Sequence, residues 1–297
     1  MRLILNGKKA QQPEIRQAIE MIRSEGTQLS VRVTFEYGDV LRFVHEAVRD
    51  KVSRLIIGGG DGTLNEITDA LAQIPAEQRP ELAILPLGTA NDFATACHIP
   101  KTPLDALELA VRGESHAIDI VRSNERHFLN IATAGFGAAV TNNTPPELKN
   151  FLGGGAYTIS GVLQAINFVP YHGRMWTETL EIDGDSVVAA VCNGRQAGGG
   201  QTLAPKAYID DGLLDVIFIK AFKLLDIPQV LLELADLEHK GEFVHYFKTP
   251  WLECQTDESM PINLDGEPYS STHIRFEVLP KAIHLVLPIT TPLLAPQ

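Results

Sequence analysis

The chain has 297 residues, 44% of them apolar and 21% charged, with a formal net charge of −12. That length accommodates two domains with cores of their own, and the composition is that of an ordinary soluble globular protein with no run long enough to span a bilayer. The acidic balance, without a Lys/Arg run to offset it, disfavours nucleic acid and requires that any phosphorylated ligand be met locally, by N–H groups, a metal or one or two basic side chains.

Met1 to Gly7 read as a strand and a turn, with no apolar leader or cleavage site, which gives the expectation of a cytoplasmic protein. Cys97, Cys192 and Cys254 are far apart and form no CxxC pair, so they are expected as reduced thiols. Pro13 opens a helix with Ile15, Ala18, Ile19 and Ile22 on one face, closed by Gly26. Val31 and Val33 alternate in a second strand ending at Thr34, and residues 39–50 form a helix with Leu41, Val44, Ala47 and Val48 inward. Leu55-Ile56-Ile57 suits a buried strand, followed by Gly58-Gly59-Gly60, Asp61 and a helix carrying Leu64, Ile67 and Leu71. Leu82 to Leu85 is the fourth strand. Alternating strands and helices imply a parallel sheet, whose ligands bind beyond the carboxyl ends of the strands. Thr34, the Gly58–Asp61 loop and the Pro86-Leu87-Gly88-Thr89 turn all lie at such ends.

The Gly58–Asp61 segment has the order that a phosphate site needs. Glycines expose backbone N–H groups and reach angles closed to other residues, and a helix start places Thr63 and Asn65 where the dipole favours an anion. Asp61 stands where a carboxylate could hold a phosphate-bound metal ion. There is no lysine of the GxxxxGK[ST] kind and no GxGxxG. In the following turn, Thr89 or Asn91 either caps the next helix or donates to a ligand.

Beyond about residue 121 the pattern turns to strands: Phe128–Ala134, Thr177–Asp183, Val187–Asn193, Leu213–Ile219 and His273–Val278. Helices are expected around Tyr157–Phe168 and Asp226–Leu237, the latter with Ile227, Val230, Leu231 and Leu234 on one stripe. This half is expected as antiparallel β, a sandwich or open barrel, with the Pro-rich tail from Pro288 to Gln297 packing back on the first domain. A second glycine triplet, Gly198 to Gly200, suggests close backbone approach. Arg195 and Lys206 beside it either meet phosphate or are solvated. Asp210, Asp211 and Asp215 form either an oxygen-rich loop for Mg²⁺ or Ca²⁺, or a plain Asp-Gly hairpin. Asp265-Gly266-Glu267 is either another hairpin or a carboxylate held rigidly to accept a proton. The nine histidines show no metal-ligand spacing.

Taken in order, several segments resemble the diacylglycerol kinase catalytic-domain family, which includes sphingosine and ceramide kinases. They are Gly58-Gly-Gly-Asp-Gly-Thr-Leu-Asn-Glu66, Leu87-Gly-Thr-Ala-Asn-Asp92, Phe128-Leu-Asn130 with Gly135-Phe-Gly137, Ala204-Pro205 with Asp211-Gly-Leu-Leu-Asp215, and Asp265-Gly-Glu267. The Asn193-Gly-Arg-Gln-Ala-Gly-Gly-Gly-Gln201 stretch is most similar to the bacterial YegS-like lipid kinases.

The resemblance implies an α/β ATP-binding domain at 1–122, of NAD kinase and phosphofructokinase type, and a β-sandwich domain at 123–297, with ATP in the cleft between them. ATP would contact Thr34, Gly58, Gly59, Gly60, Asp61, Gly62, Thr63, Leu64, Asn65, Glu66 and Thr89. Asp211, with the carbonyls of Tyr208 and Leu213, would bind Mg²⁺ or Ca²⁺, and Glu267, with Asp61, would be catalytic, Glu267 as the base that activates a lipid hydroxyl. The implied acceptor is phosphatidylglycerol or a diacylglycerol-type lipid, reached by transient contact with the membrane. Two alternatives compete with this reading: a soluble-metabolite kinase of the NAD kinase type, which the glycine motif alone permits, and a non-catalytic nucleotide or lipid sensor.

Overall fold

The structure, a computed structural model, describes residues 1–135, 170–239 and 241–296. Its contacts divide the chain into two units: residues 1–120, 209–211 and 279–297, and residues 121–208 and 212–278.

The first unit is a parallel sheet with helices on both faces. In chain order it contains β1 (Arg2–Asn6), α1 (Pro13–Ser24), β2 (Ser30–Thr34), α2 (Asp39–Arg49), β3 (Arg54–Gly59), α3 (Asp61–Ala72), β4 (Glu81–Pro86), α4 (Asp92–Ala96) and α5 (Pro103–Arg112). The strands run in the order β4-β3-β1-β2, all parallel. Alternate residues of a strand face opposite sides, so Leu3, Leu5, Ile56, Ala83 and Leu85 form one core with Ile15, Ala18, Ile19 and Ile22 of α1 and Ala106, Leu107 and Ala110 of α5. Helix α5 begins as a cap should: Pro103 is its first residue and Thr102 Oγ1 accepts the Asp105 N–H at 3.3 Å. Helices α2 and α3 pack against each other. The buried stripe of α2 is Val40, Phe43, Val44 and Ala47, not Leu41, Val44, Ala47 and Val48. Leu41 and Val48 sit at its margins, half-buried, because the buried positions follow i, i+3, i+4 and i+7 from Val40 and leave each of the two one residue off that stripe. Strand β2 is the edge of the sheet, and Val33 is accordingly exposed.

The second unit is antiparallel. Strand β5 (Ser115–Ser123) enters it and pairs with β6 (Arg126–Phe128) through a turn at Asn124, whose φ is +52°. There follow β7 (Ile131–Gly135), β8 (Tyr171–Trp176), β9 (Glu181–Cys192), the short ladder β10 (Gln196–Ala197) with β11 (Gln201–Thr202), β12 (Leu214–Lys220), α6 (Ile227–Ala235), β13 (Val244–Thr249), β14 (Trp251–Leu264) and β15 (Glu267–Val286), whose residues from 279 onward belong to the first unit. The strand order is β13-β12-β9-β7-β14-β15, with β8 bridging β9 and β14. One core gathers Phe128, Val191, Val216, Leu252, Ile262 and Phe276 between the folded-over strands, with Phe128 and Phe276 edge to face at 6.1 Å. A second core, on the opposite strand face, takes Val188, Ala190, Ile217 and Val244 and is covered by Val230 of α6. Two cores divided by strands give the sandwich-like layering that was expected.

The strand expected at Thr177–Asp183 begins only at Glu181. Thr177 forms a turn instead, its N–H donating to Leu180 O at 2.8 Å and its hydroxyl accepting the Leu180 N–H at 3.0 Å. The run Phe128–Ala134 is divided between β6 and β7 at Leu129-Asn130. Helix α6 is shorter than the expected span, and Ile227, Leu231 and Leu234 are only partly buried beside Val230. The expected helix Tyr157–Phe168 lies outside the described residues. The tail is bound within the first unit, where Ile209 N–H donates to Leu293 O at 2.9 Å and Ala295 N–H to Asp210 Oδ1 at 2.7 Å.

Candidate functional site

Parallel pairing brings the carboxyl ends of β1 to β4 to one edge. The register sets Asn6 beside Thr34, Leu5 beside Gly58, and Gly59 beside Pro86. Thr34, the glycine loop and the Gly88 turn are therefore neighbours, and a small pocket lies among Gly59, Gly60, Asp61, Leu64, Asn91 and Ala94.

The glycines of the first triplet are required for space rather than for backbone angle, since none of the three has a positive φ. A Cβ on Gly58 would lie 2.8 Å from Leu5 Cδ1, on Gly59 2.5 Å from the Thr63 side chain, and on Gly60 2.9 Å from Gly88 Cα. The two loops thus touch backbone to backbone, and only glycine at both positions allows it. Gly88 is held by Asn91, whose Oδ1 accepts the Gly88 N–H at 2.8 Å while its Nδ2 donates to Gly88 O at 3.0 Å. Asn91 therefore closes the turn instead of capping α4 or facing a ligand, and Thr89 is left exposed at the tip.

Helix α3 starts at Asp61, directly after Gly60. Leu64 N–H already donates to Gly60 O at 3.0 Å, so the amides without an intrahelical acceptor are those before it, at Gly62 and Thr63 among others. The side chains of Leu64 and Asn65 are buried, that of Glu66 is exposed, and Asp61 is half-buried at the positive end of the helix dipole. Thr63 Oγ1 accepts from Asn6 Nδ2 at 3.2 Å, and Thr34 Oγ1 accepts from Gly7 N–H at 3.3 Å. Asn6 is thus a member of this edge that the sequence reading missed; its only signal was its place at the end of the first strand. Next to Thr34, Asp39 accepts the Phe35 and Glu36 N–H groups at 2.7 and 3.1 Å and pairs with Arg42 at 2.5 Å. The Phe35 amide, with Arg42, lowers its pKa to about 2.

In the second unit, Asp265-Gly266 is the tip of a two-residue hairpin between β14 and β15, with φ of +49° and +98°. The Asp265 carboxylate is not available to a substrate. It accepts the N–H groups of Leu129, Asn130 and Ile131 at 2.8, 3.1 and 2.8 Å. Asn193 adds to this clamp, donating from Nδ2 to Leu129 O at 2.7 Å. Two motifs far apart in sequence, Phe128-Leu-Asn130 and Asp265-Gly-Glu267, are therefore one structural device. Glu267, two residues past Asp265, pairs with Leu264 across this fixed hairpin, and its exposed side chain has no hydrogen-bond partner among the described residues.

The acids of the third loop separate. Asp210 is committed to the tail through Ala295 N–H, and Asp215 is fully buried, paired with Lys248 at 3.2 Å and hydrogen-bonded by the Tyr246 hydroxyl. Among the described residues no group of three His, Cys, Asp or Glu side chains could hold a metal. Asp211 lies just before a bend at Gly212, where φ is +72°.

Arg195 and Lys206 are occupied. Arg195 Nε donates to Ala207 O at 2.8 Å and its guanidinium lies over the Tyr208 ring, while Lys206 pairs with Glu238. The second glycine triplet is the reverse of the first: φ is +64°, +86° and +94°, and a Cβ at any of the three would meet nothing within 4 Å. It is a left-handed turn closing β10 to β11, where backbone angle rather than a neighbour among the described residues calls for glycine. The three cysteines are free, and burial pushes the Cys97 and Cys192 thiols up.

Comparison with known proteins agrees with this architecture. Residues 1–123 match the diacylglycerol kinase catalytic domain, and residues 130–287 match the YegS C-terminal NAD kinase beta sandwich-like domain. A probable lipid kinase YegS-like from Shewanella frigidimarina is 53% identical over 99% of this chain and 96% of its own. Its counterpart from Chromohalobacter salexigens is 45% identical over 99% and 95%. A solved structure of a putative diacylglycerol kinase from Bacillus anthracis shares the fold, with a TM-score of 0.78 at 24% identity and 97% coverage of both chains. With a glycine-loop α/β unit, a clamped Asp265 hairpin and relatives this similar over nearly the whole length, the chain belongs to the YegS-like lipid kinase family.

Proposed function

We propose that the protein transfers the γ-phosphoryl group of ATP to a hydroxyl of a glycerolipid, either phosphatidylglycerol or a diacylglycerol. The observation that carries this reading is the passage from buried strand β3 to helix α3 through Gly59-Gly60-Asp61, packed backbone to backbone against the Gly88 turn. Such a junction offers amides and a helix dipole to phosphate, and phosphoryl transfer depends mainly on positioning and charge stabilisation.

Roles follow from the chemistry of each group. The Gly58–Thr63 loop, with Thr34 and Thr89 at the same edge, holds the nucleotide phosphates. Asp61 would hold a phosphate-bound cation at the helix start. The lipid hydroxyl oxygen attacks the γ-phosphorus, the bond to the bridging oxygen breaks, ADP departs, and the Glu267 carboxylate takes the hydroxyl proton. Mg²⁺, or Ca²⁺ in its place, would be held by Asp211 and the carbonyls of Tyr208 and Leu213, where it supplies positive charge and fixes the turn. No helix among the described residues is long and apolar enough to cross a membrane, so a lipid acceptor would be met by contact with its surface.

The test is transfer of labelled γ-phosphate from ATP to a panel in mixed micelles: phosphatidylglycerol, diacylglycerol, a sphingoid base and NAD. Label on a glycerolipid is the expected result. Label on NAD alone would replace the reading with a soluble-metabolite kinase, and ATP binding without transfer would replace it with a sensor.

A further inference from the structure

Loops follow β1, β2, β3 and β4 at the carboxyl edge of the first unit's sheet, and only the one after β2 carries aromatic rings. Phe35 and Tyr37, in the connection from β2 to α2, are 97% and 96% exposed. The backbone beneath them is nevertheless fixed. The buried Asp39 carboxylate accepts the Phe35 and Glu36 N–H groups at 2.7 and 3.1 Å, and Arg42 pairs with the same carboxylate. Gly38, with φ of +87°, then makes the turn into α2. A held loop thus presents two bare rings beside Thr34, at the edge where the glycine loop also ends.

The register tells how far these rings stand from the glycine loop. Thr34 pairs with Asn6, and Leu5, one residue earlier on β1, pairs with Gly58. Strand β1 alone separates β2 from β3, so Phe35 follows a residue two strand spacings, about 10 Å, from β3. That separation is comparable with the one between the β-phosphate and the base in an extended nucleotide. On the other side of the glycine loop, the Leu87–Asn91 turn exposes Thr89 and Ala90 and has no ring. Charge narrows the occupant further. Within residues 35–42 the carboxylates of Glu36 and Asp39 outnumber the one guanidinium, Arg42, so the rings suit an uncharged aromatic group and not a phosphate or an anionic bilayer. Of the parts of a nucleotide, that group is the base.

We infer that Phe35, bordered by Tyr37, is the surface on which the base of the bound nucleotide stacks. The inference rests on the ATP reading given above and assigns a specificity role to a residue which that reading does not use. Loss of an aromatic stack on a base lowers affinity by about fivefold to 150-fold. The ring is almost wholly exposed, so its removal leaves the core intact.

Calorimetry on the full chain with Mg²⁺, titrating ATP and, separately, inorganic triphosphate, compares wild type with Phe35→Ala and Phe35→Trp. Phe35→Ala should lose about fivefold or more in ATP affinity and keep its affinity for triphosphate. Phe35→Trp should retain ATP affinity, with the introduced indole quenched by ATP and not by triphosphate. Phe35→Ala with ATP affinity within about twofold of wild type overturns the inference, as do equal losses for ATP and triphosphate, which would make the ring a support of the phosphate loop. Phe35→Ala that instead loses sedimentation with phosphatidylcholine vesicles, at unchanged ATP affinity, also overturns it and makes the rings a membrane contact. A wild type that binds ATP no more tightly than triphosphate overturns the base platform and leaves the phosphate loop standing, whereas one that binds neither sinks both. ATP binding that depends on Phe35, without transfer to any lipid, supports the platform and sinks the kinase reading.

Discussion

Replacing Asp265 tests the device that fixes the hairpin carrying Glu267. Its carboxylate serves three backbone N–H groups, of Leu129, Asn130 and Ile131, on residues that are themselves buried. A buried donor left without its acceptor costs about 1–3 kcal/mol, and because Asp265 is half-buried, water will recover part of this. The lower end of the range gives about 3 kcal/mol for the three donors in Asp265→Ala. The position also has φ +49°, which Asp and Asn tolerate and Ala does not, adding about 1 kcal/mol. The expected loss is about 4 kcal/mol, or a fall in Tm of roughly 10 °C for a unit of this size. Asp265→Asn keeps the backbone tolerance and one carbonyl acceptor, and should lose about half as much. Both tryptophans, Trp176 and Trp251, lie in the second unit, so urea unfolding followed by their fluorescence reports on the unit concerned. An Ala variant within about 2 °C of wild type would refute the clamp.

The two glycine triplets make opposite predictions. Gly60→Ala should weaken ATP binding measured by calorimetry, because its Cβ would press on Gly88 Cα, whereas Gly199→Ala, with φ +86° in open space, should cost about 1 kcal/mol of stability and leave ATP binding unchanged. Asp211→Ala should lower activity in a way that added Mg²⁺ or Ca²⁺ only partly restores; an unaltered metal titration would reduce the turn to a hairpin. Asp39, with its pKa lowered from 3.8 to about 2, contributes stability that is fully present above pH 3.8 and is lost as pH falls towards 2. Asp39→Asn should therefore be less stable than wild type at neutral pH, with the difference vanishing near pH 2, and a carboxyl titration of Asp39 by NMR with its midpoint near 4 would contradict this.

Much of the first unit was legible because its signals are local. Pro13, the apolar stripe of α1 and the Leu55-Ile56-Ile57 run each specify an element by themselves, and parallel pairing then carries Thr34, Gly58–Asp61 and Gly88 to one edge. What a glycine is for was not legible. Both triplets look alike in sequence, yet one is demanded by a neighbour 2.9 Å away and the other by backbone angle. The second unit hid more. Strand β14 carries Gln255 to Ser259 and strand β15 carries Ser270 to His273 as polar, mostly solvent-facing stretches, so no continuous apolar alternation marks their full length. The role of Asp265 depends on donors more than a hundred residues away, which no local window contains. Of the acids grouped at 210–215, burial and the tail decide which is engaged elsewhere, and neither is written in their spacing.

In the proposed function the loop after β3 holds ATP and Glu267 accepts the proton from the lipid hydroxyl. This pairing of roles is tested most directly by the single-turnover rate of Glu267→Gln at saturating ATP and lipid, with ATP affinity measured on the same preparation. The substitution keeps the shape of an exposed side chain on a hairpin fixed by Asp265, so folding should be untouched. General-base assistance is typically worth about a hundred- to ten-thousand-fold, and the rate should fall by an amount in that range while ATP affinity stays within about twofold of wild type. A glutamine variant that retains most of its rate would contradict the account, leaving Glu267 as part of the turn and the hydroxyl to be activated by another group.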